Sequence, residues 1–119
     1  MISEGKLRDI VKIYARTTRP GDAGEQIQGY VKLADMRGNW RQVNGQAYIL
    51  SGMELSTRKG TLKTRYYPDA DETMYIEIFT KPGPGEVFEV ETFNHDDKDW
   101  FTLWTLRKAN LKIETIFPS

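Results

Sequence analysis

The sequence predicts an all-β domain of about six or seven strands with at most one short helix. Three observations carry that expectation. Apolar and polar residues alternate over successive runs, Gly- and Pro-containing stretches separate those runs, and helical spacing surfaces only in one short insertion. Strands with one wet and one buried face build a sandwich or a barrel.

The first strand falls in residues 7–14, where Leu7, Val11 and Ile13 share a face that Asp9 interrupts. Residues 19–25 follow as a long exposed loop, since Pro20, Gly21 and Gly24 supply the backbone angles of a reversal. The second strand sets Val31 and Leu33 opposite Tyr30 and Lys32 and runs past Gly38 to Trp40 and Val43. A glycine inside such a run is expected to mark a bulge or bend.

Residues 44–60 break the alternation. Ala47, Leu50 and Glu54, or Ile49 and Met53, are spaced for a short helix with Gly52 as its weak point, so a short helical or irregular insertion is expected between strands 2 and 3. Strands resume over residues 61–67 and stop at residues 68–71. Met74, Ile76 and Ile78 then alternate with Tyr75, Glu77 and Phe79. Pro82 and Pro84 lack the N–H a ladder needs, so residues 81–85 are a turn and the run at 87–93 completes a hairpin.

Residues 94–99 make a polar reversal into a strand holding Trp100, Leu103, Trp104 and Leu106. Beyond it Leu111, Ile113 and Phe117 alternate with Lys112 and Glu114, as a last strand or an arm. Leu7, Val11, Ile13, Val31, Leu33, Leu62, Ile76, Ile78, Val90 and Leu103 are expected to include most of the core, and Trp40 and Trp100 to pack in it.

Composition narrows the function. A chain of 119 residues with 39% apolar and 12% aromatic content fits one domain that can bury a core without disulfides. Seventeen Lys and Arg balance seventeen Asp and Glu, so an electrostatic partner must read local patches. No cysteine is present, which removes thiolate metal sites and thiol catalysis and fits a reducing compartment. The charged N-terminus lacks a signal-peptide core and no apolar run approaches ~18 residues, so neither export by that route nor a membrane partner is expected.

Catalytic constellations are missing. His95 stands beside Asp96, Asp97 and Asp99, but without calcium-loop spacing or a second His for zinc this reads as a solvated turn. There is no Gly-x-Ser-x-Gly elbow, and Glu89 and Glu91 at i, i+2 share a strand face rather than flank a cleft. No catalytic, metal or cofactor residue is assigned, and the chain is expected not to be an enzyme. Arg58, Lys59, Lys63 and Arg65 form a basic contact patch ending in Tyr66 and Tyr67. That patch supports a rival reading as an OB-like module for single-stranded nucleic acid, although Asp69, Asp71 and Glu72 compensate it.

The order of segments resembles the head–tail joining, head completion or stopper, proteins of long-tailed bacteriophages. The resemblance runs over residues 5–108. It rests on residues 5–8 opening a strand with Val11 and Ile13, the loop Asp22, Ala23, Gly24 and Glu25, and the strand from Tyr30 to Trp40. It continues through an insertion holding Gly45 and Glu54, the basic-aromatic run 62–68 ending in Pro68, residues 85–90, Asn94 with its Asp-rich turn, and the strand to Arg107. Glu86 stands where that family often has Arg, and the residues after Lys108 exceed the family pattern.

This resemblance implies a small β-barrel; the chain is read as one domain of six to seven antiparallel strands over residues 1–119, with residues 1–6 as an N-terminal arm and residues 109–119, which exceed the family pattern, as a candidate C-terminal arm. The resemblance implies a structural virion protein at the head–tail interface, forming a ring with itself, usually dodecameric, below the portal and its adaptor. A tail-completion protein and the packaged double-stranded DNA in the channel are the further partners. Residues 44–60 then project into the channel, with Gly45, Tyr48, Ile49, Leu50, Met53 and Leu55 as candidate channel and interface residues. Leu111, Ile113 and Phe117 are the candidate arm residues.

Overall fold

A computed structural model describes residues 8–43, 47–50, 53–56, 59–80, 84–109 and 111–118, giving only the backbone for Val43, residues 47–50 and residues 53–56. Nine strands and no helix occur among them. They are β1 (Asp9–Pro20), β2 (Gln26–Val43), β3 (Ala47–Leu50), β4 (Met53–Ser56), β5 (Lys59–Arg65), β6 (Tyr75–Phe79), β7 (Glu86–His95), β8 (Phe101–Lys108) and β9 (Ile116–Phe117). The order β1-β6-β7-β8-β5-β2 returns to β1 through the β1–β2 pairing, closing a six-stranded antiparallel barrel. Within the barrel, closure pairs each strand on both sides. β9 is an extra strand, parallel to β2 at Tyr30 and Val31.

The interior follows the alternation. Val11 and Ile13 from β1, Leu62 from β5, Ile76 and Ile78 from β6, Phe88 and Val90 from β7, and Trp104 and Leu106 from β8 form one buried cluster with Met74. Trp104 is the largest fully buried side chain. Its indole N–H donates to Thr64 Oγ1 at 3.0 Å, so the apolar body is buried without leaving the N–H unpaired. Trp40 stacks on Phe88 with centroids 4.5 Å apart, and Phe93 and Tyr67 flank Trp104 at 6.0 and 6.1 Å.

Two bulges redirect faces that strict alternation misplaces. Ile13 pairs with Ala34 and Tyr14 with Lys32, which leaves Leu33 as an extra residue on β2. One extra residue inverts every later face. Ala34, Met36 and Trp40 therefore pack on the core, while Leu33 is 42% exposed and Val31 only half-buried. The bulge expected at Gly38 lies five residues earlier. Gly38 itself is in register, where a Cβ would come within 2.8–3.1 Å of Leu62, the Lys63 carbonyl and Val11, so three crowded strands require the missing side chain. On β7, Val90 pairs with Leu106 and Thr92 with Thr105, setting Glu91 aside and bringing Phe93 opposite Trp104.

Other expectations are corrected by the same geometry. On β8 the core takes Thr102, Trp104 and Leu106, so Leu103 points outward, 43% exposed. Trp100 precedes that strand and is 63% exposed, with the Lys98 ammonium 5.3 Å from its ring. Leu7 lies outside the described residues. The predicted β6–β7 hairpin is present, with Tyr75 to Ile78 paired to Glu89 to Glu86.

Candidate functional site

The insertion is a β-hairpin. The helical spacing of Ala47, Leu50 and Glu54 is not realised; β3 and β4 pair antiparallel with Tyr48 opposite Leu55, Ile49 opposite Glu54 and Leu50 opposite Met53. Residues opposed in a hairpin share a face, so positions 48, 50, 53 and 55 fall on one side. All four are apolar in sequence: Tyr48, Leu50, Met53 and Leu55. Ile49 and Ala47 fall opposite, with Glu54 and Ser56. The period is two, and Ile49 between apolar neighbours gives the run its helical look. Gly45 lies outside the described residues.

The hairpin is held by its base. Val43 of β2 pairs with Lys59 of β5, so the insertion leaves the barrel and re-enters it at one point on the rim. β3 and β4 form a separate two-stranded sheet without ladder contact to the barrel.

The basic patch occupies the outer face of β5. Gly60, Leu62 and Thr64 turn inward, which leaves Lys59, Thr61, Lys63 and Arg65 outside. Arg58 lies outside the described residues. Cross-strand register adds two cations the linear sequence does not group with them, Arg41 opposite Thr61 on β2 and Arg107 opposite Lys59 on β8. Lys59 lies 3.5 Å from Glu91, and Arg107 donates to Glu89 at 2.9 Å. Lys63 sits 4.7 Å over the Phe101 ring. Tyr67 turns toward Trp104 rather than standing open beside the cations.

The polar reversal after β7 is a tight turn in which the Asp99 N–H donates to the Asp96 carbonyl at 2.9 Å and Asp99 takes a φ of 55°. His95 packs against Tyr66 and Phe93, its Nδ1 2.9 Å from Thr102 Oγ1. No group of three or more metal-ligating side chains occurs among the described residues.

The C-terminal segment folds back on its own barrel. Ala109 is buried and donates its N–H to the Val87 carbonyl at 3.0 Å, and the Tyr30 N–H donates to the Thr115 carbonyl at 2.8 Å. Between these ties, Leu111, Lys112, Ile113 and Glu114 border an open cavity of about 750 Å³ with Phe79 and Val87. Phe117 ends on Gly29, where a Cβ would meet its ring at 2.6 Å. Arg19 covers that ring at 4.8 Å and donates to the Pro118 carbonyl at 2.9 Å. Arg19 and Gly29 are seat residues that no local motif reveals, because they lie far from the tail in sequence.

The family model described as phage head completion protein matches residues 2–107. Among solved structures, the solution structure of protein SF1141 from Shigella flexneri 2a is similar with a TM-score of 0.65 and 17% identity, covering 93% of this chain and 100% of that one. A chain of the virion of a native gene transfer agent particle is similar with a TM-score of 0.57 and 10% identity, over 83% and 91% of the two chains. At these identities both likenesses concern the fold. No curated protein matches.

Proposed function

Because this chain belongs to the phage head completion protein family, and so is a structural protein of the virion, we propose that it forms a ring below the portal and adaptor, holds the packaged double-stranded DNA, and receives the tail-completion protein. The hairpin of β3 and β4 carries this reading. Its root at the paired Val43 and Lys59 lets a rigid barrel present a long projection from one rim, and its register gathers Tyr48, Leu50, Met53 and Leu55 on one apolar face. One hairpin alone leaves that face without a partner sheet. Around a closed ring the faces of successive copies meet, burying apolar area that water would otherwise cover and narrowing the channel. Twelve copies is the ring size the family resemblance implies.

In this reading Arg41 and Lys63, on the outer face of β2 and β5, form a contact wall for an acidic surface of a neighbour, and the barrel performs no chemistry. Particles assembled without the protein test the proposal. DNA-filled heads should leak and refuse tails, and added protein should restore both. A chain with residues 47–56 replaced by a short Gly-Ser link should still join heads to tails but release DNA. Full retention by that chain would remove the hairpin from the channel, and failure of the intact protein to join portal, adaptor or tail components would remove the reading as a whole.

A further inference from the structure

The segment after β8 is separable from the fold it rests on. The six-stranded barrel closes without β9, and beyond Ala109, which is buried and tied to Val87, no described residue is buried. The family match also ends at residue 107, so the segment lies outside the matched residues.

Its tip nevertheless has a shaped seat. Ile116 and Phe117 run parallel to Tyr30 and Val31, Phe117 fills the space that Gly29 leaves, and Arg19 holds both the ring and the Pro118 carbonyl. The link is of another character. Residues 111–114 lie in no strand, and the apolar residues Leu111 and Ile113 border the open 750 Å³ cavity. A specific seat joined to the barrel by a poorly packed tether is the architecture of an exchangeable arm.

The seat also stands off the barrel. β6 pairs with β1 only from Ile10 to Tyr14, and β5 pairs with β2 only from Gly38 to Val43, so Ala15–Pro20 with Gln26–Val31 forms a two-stranded ribbon. The ribbon offers its Tyr30–Val31 edge where β5 leaves it open.

We infer that the arm is exchanged between copies: in the ring, Ile116 and Phe117 of one copy seat on β2 of the next. This rests on the ring reading above. Exchange reproduces every contact of the seat, so it adds a link between subunits without new chemistry, and the tether leaves the cavity it borders. The six residues from 110 to 115 can reach roughly 20 Å when extended, at about 3.3–3.6 Å each. Free monomer keeps the arm on its own seat, because the local concentration of a tethered strand exceeds that of any dilute copy.

The chain has no cysteine, so introduced thiols report alone. Tyr30→Cys and Ile116→Cys are placed in one full-length chain, and separately in two chains that are mixed before assembly, with a short bis-maleimide as probe. The double variant as free monomer should link within itself and run at monomer size. In rings the same variant should give a covalent ladder, and the mixed single variants should link in pairs. Arg19→Cys with Pro118→Cys, both exposed, repeats the test should the first pair disturb folding. Rings whose links stay within one chain, with no link between the mixed variants, overturn the exchange while leaving the ring intact. Absence of any ring overturns the ring reading and the exchange together.

Discussion

Trp104 and Thr64 are joined in the centre of the barrel, the indole N–H donating to the hydroxyl at 3.0 Å with both side chains fully buried. The Thr64 hydroxyl in turn donates to the Arg65 carbonyl at 2.9 Å, so the bond is one step of a short satisfied chain. Thr64→Val keeps the shape and strands the indole donor, at an expected cost of about 1–3 kcal/mol in urea unfolding. Thr64→Ser should recover a large part of that loss. Equal stability of the Val variant and the parent would mean that this bond adds nothing.

The bulge at Leu33 makes a second prediction about faces. Leu62→Ala and Ile76→Ala should each cost about 2–5 kcal/mol, since both side chains are fully buried. Leu33→Ala and Leu103→Ala, at exposed positions on neighbouring runs, should stay within about 1 kcal/mol of the parent. Reversed magnitudes would place the strands with their other face inward.

Tyr14 gives a dependence on pH. Burial, then the Glu77 carboxylate that accepts its hydroxyl at 3.2 Å, pushes this phenol up to about 12 from 10.0. Below pH 10 both folded and unfolded chains hold the proton and the contribution is complete. Between about 10 and 12 only the unfolded chain releases it, so stability falls as pH rises through that window. Tyr14→Phe should lower stability near neutral pH by about 0.5–1.5 kcal/mol and flatten the alkaline decline. An unchanged alkaline slope in that variant would assign the decline to other groups.

The hairpin is the subject of a fourth prediction. A two-stranded sheet without further partners is marginal in water, so amides of β3 and β4 should exchange rapidly in free protein. Assembly should slow them strongly while the barrel strands change little. Equal protection of the hairpin in both states would show that it gains no neighbours in the particle.

Much of this architecture is legible in the chain, and its omissions have definite causes. Ile76 and Ile78, or Leu62 with its neighbours, announce their face because uninterrupted alternation is a direct consequence of the pleat. Leu33 misleads because a bulge is decided by how two strands pair, which no single run contains. Thr64 and Thr102 look polar in sequence yet are fully buried; Trp104 and the Tyr67 amide supply their partners from other elements. At the candidate site, the position of the insertion is legible from broken periodicity, but its hairpin form depends on the register of Tyr48 with Leu55. The apolar tail is equally visible, whereas its seat on Gly29 and Arg19 depends on tertiary proximity.

The most direct measurement is an electron-microscopic reconstruction of DNA-filled, tail-free heads carrying this protein at the portal vertex. The account predicts one closed ring of barrels below the portal and adaptor, with the β3–β4 hairpins turned inward to meet across the channel against the end of the DNA. Barrels scattered on the capsid surface, or a ring whose hairpins point outward and leave the channel open, would contradict it.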